Sequence, residues 1–169
     1  MMGSTHAAAG MLAAEIVLSV SHAPPIYWPV GIAFGAASAI LPDIDHPSSF
    51  LNQRLPLGSS AGMALDHRHF THSIAAAWLF SLYLHWLWPM VPSILLTCAV
   101  AGYLSHPVLM DILNPEGAQL LWPLPWMISL ARILPYPLTF STEDWMERVV
   151  LKNALWVLVI ITVVQPKLI

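Results

Sequence analysis

Apolar positions gather into five helix-length stretches, at about residues 7–20, 27–41, 73–88, 91–110 and 149–164, with polar or proline-bearing breaks between them. Most are short for a bilayer, since a full crossing takes about 17–25 residues. Several helices are therefore expected to start or finish in polar, protein-lined surroundings just below the membrane surface. The breaks at 22–25 and 89–92 are tight and carry prolines, as helical hairpins require. Counting crossings through these hairpins gives a definite result. The polar clusters at His6, at 41–46, at 66–72 and at 105–111 all emerge on the same side of the membrane.

Two longer connections lie on that side. Residues 45–64 form a Ser-, Gly- and Pro-containing loop long enough to fold over a site as a lid. From 114 to 140 the chain is apolar but broken by Pro115, Pro123, Pro125, Pro135 and Pro137, which excludes one straight span and predicts a helical piece lying in the interface or dipping partly into it. Ser141-Thr142-Glu143-Asp144 has the form of a capping box and predicts the start of the last helix. The expected fold is all-α: a polytopic membrane helical bundle of about five spanning helices plus the interfacial segment, in a single domain over residues 1–169.

Composition agrees. Charged residues are 9% and hydrophobic ones 57% of the chain, against about 25% charged in a soluble domain. A net charge of -3 with six Lys plus Arg leaves no basic stripe for a nucleic acid. The single cysteine, Cys98, permits no intrachain disulfide. The first stretch reads as a retained span and not a signal peptide, because no Lys or Arg precedes it and Glu15 interrupts it. Arg54, Arg68, Arg132, Arg148 and Lys152 lie on or beside the connections of the polar-cluster side, and the two opposite hairpins carry none. By the positive-inside rule that face is cytoplasmic, with the N-terminus, while Lys167 marks the other side. Trp28, Trp86 and Trp88 border the far hairpins and Trp122, Trp126 and Trp145 the near face, as interfacial tryptophans do.

The clusters carry metal-ligand chemistry. Asp43 and Asp45 flank Ile44, so in an extended turn both carboxylates project to one side, with His46 next in sequence. This mixture of oxygen and nitrogen suits Zn first, then Mn or Fe, better than Ca or Mg. His67, His69 and His72 precede the third stretch. His67 and His72 are about 140° apart on an ideal helix, so either the turn is not yet helical or the two serve different roles. His106 and Asp111 stand five residues apart with Pro107 between, where a bend would turn both inward. Any one cluster alone could be an Asp-rich helix end or a surface histidine turn. Together they deliver more ligands than one tetrahedral ion needs, which points to one or two divalent ions. Glu15, within the first stretch, is a relay, a supporting partner for a ligating histidine, or a hydrogen-bonded interhelix carboxyl.

Leu-Pro-Asp-Ile-Asp-His-Pro at 41–47, His-Arg-x-x-Thr-His-Ser at 67–73, Gly-Tyr-Leu-Ser-His-Pro-x-Leu-x-Asp at 102–111 and Thr-His at 5–6 are familiar in combination. Over most of the first 123 residues the chain resembles the YdjM-like family of bacterial and archaeal inner-membrane proteins, described as membrane-bound metal-dependent hydrolases. The resemblance implies an all-helical membrane hydrolase with ligands at His6, Asp43, Asp45, His46, His67, His72, His106 and Asp111. His69 and Pro107 depart from the pattern.

The expected function is hydrolysis of a phosphoester or related ester of a membrane lipid or lipid-linked small molecule by metal-activated water. His67 or His69 would shuttle protons, Arg68 would clamp a phosphate, and 120–136 would guide an acyl chain or merely anchor the bundle. Two other readings stand beside it. One is a non-enzymatic divalent-metal transporter or sensor, although the ligands gather at one end instead of the midplane and no repeat is visible. The other is a structural subunit whose polar ends only pair with each other. The residues leave the oligomeric state open.

Overall fold

A computed structural model describes residues 2–49, 51–54, 66–134, 139 and 144–164. Its five α-helices fall on the five apolar stretches: α1 Gly3–Val20, α2 Trp28–Ser38, α3 Ile74–Leu87, α4 Ser93–Ser105 and α5 Lys152–Val164. No strand occurs among the described residues. The local sequence sets the starts. Pro29 occupies the first turn of α2 and Pro92 precedes α4, where a missing N–H costs nothing. The Ser73 hydroxyl caps α3 by accepting from the Ala76 N–H at 3.1 Å.

Short turns extend several helices. A 3-10 turn, Pro25–Tyr27, leads into α2, and another, Pro42–Asp45, follows it. The Asp43–Asp45 pair therefore sits on a 3-10 turn and not on the extended turn the sequence led us to expect. Beyond α4, Pro107 has no N–H to give, and the chain relaxes into a π-helical turn, His106–Met110, and then a 3-10 turn, Asp111–Leu113. With these extensions, Gly3–Val20, Pro25–Asp45 and Ser93–Leu113 have 18, 21 and 21 residues and are apolar enough to cross a membrane. α3, at 14 residues, and α5, at 13, are shorter than a full crossing.

Helices α1, α2 and α4 meet backbone to backbone at three glycines. A Cβ on Gly10 would lie 2.3 Å from the Gly35 carbonyl oxygen, and one on Gly102 would lie 2.2 Å from the same oxygen. Ser38 bonds α2 to α4 by donating its hydroxyl to Ala99 O at 2.6 Å. Small residues at crossings are how membrane helices pack, because burying apolar surface gains little in lipid. The remaining helices lean on this trio. Ala76 and Ala77 of α3 pack with Tyr103 of α4, and Leu155 of α5 packs with Ala8, Ala9 and Met110. Glu15 is fully buried on α1 and accepts a hydrogen bond from Thr162 of α5, which makes it an interhelix carboxyl. Large apolar side chains face outward on α3 (Trp78, Leu82, Trp86) and α5 (Val157, Ile160, Val164), as a lipid-facing surface requires.

The proline-broken segment after α4 is not the helix expected from its apolar content. Its described residues run as turns, with one antiparallel bridge between Ala118 and Ile128 and a single 3-10 turn, Leu130–Arg132, among them. Trp122, Leu124, Trp126 and Ile133 stand exposed on it. Of the expected lid, residues 46–49 and 51–54 form turns pinned by Asn52, whose amide donates to Ile44 O at 2.7 Å and His46 O at 2.9 Å. The stretch 55–65, the capping-box residues 141–143 and Lys167 lie outside the described residues.

The glycine contact gives the first prediction. Gly102→Ala forces a methyl against a neighbouring backbone oxygen that no rotamer change can move away. The variant should be destabilised by about 1–3 kcal/mol, read as a lowered thermal midpoint of the detergent-solubilised protein. A midpoint equal to that of the parent would show that the three backbones are not held at this spacing.

Candidate metal centre

The helix ends that the crossing count places on one side do converge. His6 comes from the first turns of α1, Asp43 and Asp45 from the 3-10 turn after α2, His72 from the 3-10 turn before α3, and His106 and Asp111 from the turns ending α4. The glycine crossing explains the approach, because Gly10 and Gly102 each lie four residues, about one turn, from His6 and His106.

At the centre, His72 Nε2 and His106 Nε2 face each other at 3.2 Å. Asp43 Oδ1 lies 3.8 Å from the first and 3.4 Å from the second. Asp111 Oδ2 lies 3.4 Å and 3.6 Å from the same two nitrogens. A tetrahedral ion with bonds of about 2.0–2.2 Å holds its donor atoms about 3.3–3.6 Å apart. The triad of His72, His106 and Asp111, with mutual distances of 3.2, 3.4 and 3.6 Å, matches that figure as one face of such a site, and Asp43 Oδ1 stands beside its two nitrogens. Asp111 Oδ2 is buried and has no hydrogen-bond partner, an expensive state for a carboxylate oxygen unless a cation or proton meets it. The residues fit a divalent cation.

The histidines are held in the tautomer such a site needs. His106 Nδ1–H donates to Ala39 O at 2.7 Å, and His72 Nδ1 lies 3.1 Å from Asp45 Oδ2. Both rings therefore turn Nε2 to the centre, free to ligate once His72 gives up its second proton. Asp45 is fully buried and stands behind His72 as its orienting carboxylate. Its Oδ2 also accepts from the Arg68 backbone N–H at 3.0 Å and from the Thr71 hydroxyl, and its Oδ1 accepts from His67 Nδ1–H at 2.7 Å. Thr71 is fixed in turn by Tyr103, which donates to Thr71 O. Arg68 reaches its place with a left-handed backbone, φ 65°. The side chains of Asp43, Asp45, His67 and His72 form a second overlapping group with donor atoms within 4.8 Å of one another, and His6, Asp43 and His106 form a third.

The other expected site residues are placed as follows. His67 is 31% exposed, and its Nε2 accepts a long 3.3 Å contact from Arg68 Nε–H. The Arg68 guanidinium is buried and turned onto exposed Glu116 at 3.1 Å and Gly117 O at 3.5 Å, so it does not stand open as a phosphate clamp. His46 bonds Ser48 at 3.2 Å and meets the edge of His67, its ring 4.7 Å away. Burial first, and then the neighbouring His67, hold His46 below its ordinary pKa. His69 is half-buried and, among the described residues, belongs to none of the metal-competent groups. His22 follows the end of α1 and His85 lies in the last turn of α3. Thr71, Tyr103, Glu116 and the Ala39 carbonyl were not anticipated. Thr71 and Tyr103 lay inside quoted motifs that gave them no role, Glu116 lay in none, and a backbone carbonyl leaves no trace in a sequence.

The sequence profile of the family described as YdjM inner membrane protein matches residues 1–168. The protein called Inner membrane protein YdjM from Escherichia coli (strain K12) is 44% identical over 105 residues, 58% of this chain and 52% of that protein. Its namesake in Shigella flexneri matches to the same extent. The chain thus spans about half the length of the curated relatives it matches. No solved structure matches.

Burial by itself would pull the His72 imidazolium down, but Asp111, and then Asp43 and Asp45, outweigh it and raise the pKa from 6.5 to about 9. A proton held this way stabilises the cation-free fold fully below pH 6.5, and the contribution is lost as pH rises to about 9. The metal-free protein should therefore lose thermal stability between pH 6.5 and 9, and saturating Zn(II), which replaces the proton, should remove that slope. Identical pH profiles with and without Zn(II) would exclude a cation at His72.

Proposed function

The chain belongs to the YdjM inner membrane protein family, and from that premise we propose that it is a membrane-embedded, metal-dependent hydrolase. The substrate class is a phosphoester or related ester of a membrane lipid or lipid-linked small molecule. The observation that carries the reading is the buried triad of His72 Nε2, His106 Nε2 and Asp111 Oδ2 with mutual distances of 3.2–3.6 Å, Asp43 Oδ1 beside the two nitrogens, and a His67–Asp45 pair next to it. A divalent cation bound there, Zn first and Mn or Fe next, supplies a lowered pKa for water and charge to neutralise a phosphoryl oxygen.

This chain's residues supply the rest. Asp45 holds His67 with its Nδ1 protonated, which leaves Nε2 to accept a proton once the weak Arg68 contact is exchanged for substrate. Arg68 keeps a positive charge beside that nitrogen, and an anionic substrate would have to compete with Glu116 for it. Asp43, 19% exposed, is the most open ligand and marks the side of entry. The exposed apolar side chains of the 118–134 segment, tied to the site by Gln119 N–H to Arg68 O at 2.9 Å, offer an acyl chain a surface. The arginine bias assigns this face to the cytoplasm.

A second reading draws on burial. His72, His106 and Asp111 are at most 2% exposed, as in a closed site that holds a metal without turnover, which a sensor or carrier would use. Activity decides between them. Purified protein given a phospholipid panel should release product, lose that activity with chelator, and regain it with Zn(II). His67→Ala should lower turnover by about 10²–10⁴-fold while bound metal is retained, whereas Asp43→Ala and His106→Ala should lose the metal as well. Metal binding without turnover of any ester would leave the sensor or carrier reading.

A further inference from the structure

His6 lies against the centre but outside the triad of His72, His106 and Asp111. It is 1% exposed, and neither ring nitrogen has a hydrogen-bond partner. A buried imidazole always carries at least one donor or acceptor that burial penalises if left unmet. Its ring lies flat on His106, with centroids 3.6 Å apart and planes 5° from parallel.

That stacking restricts what the two rings can bind. The lone pair of an imidazole nitrogen lies in the ring plane, so a ligated ion lies in or near that plane. With bonds of about 2.0–2.1 Å, one ion midway between two parallel rings would leave each plane by an angle of about 60°. His6 and His106 are thus unsuited to share an ion. Each can serve its own, and the two in-plane positions would then be separated by roughly the stacking distance. The spacing of paired hydrolytic metals is about 3.5–4 Å.

Asp43 has the geometry to join them. Its Oδ1 faces His106 and His72 at 3.4 and 3.8 Å, while its Oδ2 faces His6 Nε2 at 4.0 Å. Two bonds of about 2.1 Å from one ion can span up to about 4.2 Å. We propose that the site is binuclear: Asp43 bridges a first divalent ion held by His72, His106 and Asp111 and a second held by His6. The inference rests on the metal-centre reading and deepens it. The second ion has few protein ligands, and it is the weaker of the two.

Titration of the metal-stripped, detergent-purified full chain with Mn(II), followed by electron paramagnetic resonance, tests this. Free Mn(II) gives the number bound, and the bound signal reports whether ions lie close enough to couple. Two ions per chain with a spin-coupled signal are expected, and His6→Ala should bind one ion with an uncoupled six-line signal. Its remaining ion also shows that the variant is folded; if it binds none, the count and coupling of the parent decide alone. One ion per chain in the parent, two uncoupled ions, or two ions kept by His6→Ala would overturn the binuclear proposal. One ion in the parent leaves the hydrolase reading standing. None in the parent sinks both.

Discussion

The approach of three backbones at Gly10, Gly35 and Gly102 sets how closely the ends bearing His6, Asp43 and His106 can meet. With any larger residue at the crossing, α1, α2 and α4 would stand farther apart, and a metal site cannot absorb such a shift because its bonds tolerate only a few tenths of an ångström. In lipid this packing comes from van der Waals contact and interhelix hydrogen bonds such as Ser38 to Ala99. The fold holds its histidines in register by removing side chains one turn away.

Much of the architecture was legible because membrane insertion leaves a strong mark. Five apolar stretches became five helices, and the tight Pro-bearing hairpins were enough to bring His6, Asp43, His72, His106 and Asp111 to one end. The bend at Pro107 was readable for the same reason: the missing N–H cannot be hidden. Division of labour inside the cluster was not legible. Asp43 and Asp45 look equivalent in sequence, but a 3-10 turn sends one to the centre and the other behind His72. His67 and His69 look interchangeable as well, and only the left-handed backbone at Arg68 and the reach of Asp45 separate them. The 114–134 segment misled by its apolarity, since prolines frequent enough to break a span also break a surface helix.

The centre is a concentration of like charge that a cation or a proton must offset. Asp43, Asp45 and Asp111 surround His72, and the helices bearing them would otherwise repel at that end. Opposite, the bundle closes on uncharged contacts: Leu18, Ala14 and Cys98 form a dry cluster there. One end is thus cohesive by packing alone and the other depends on what it holds.

Asp45 has a wider consequence. A single carboxylate orients His72 on one oxygen and His67 on the other, while also fixing the loop through Arg68 N–H and Thr71. The basicity of the ligand and that of its neighbour cannot drift independently, because any change felt by this side chain reaches both. Selection acting on either property acts on the pair, so related sequences should vary freely around this carboxylate only where they have also given up the chemistry it coordinates.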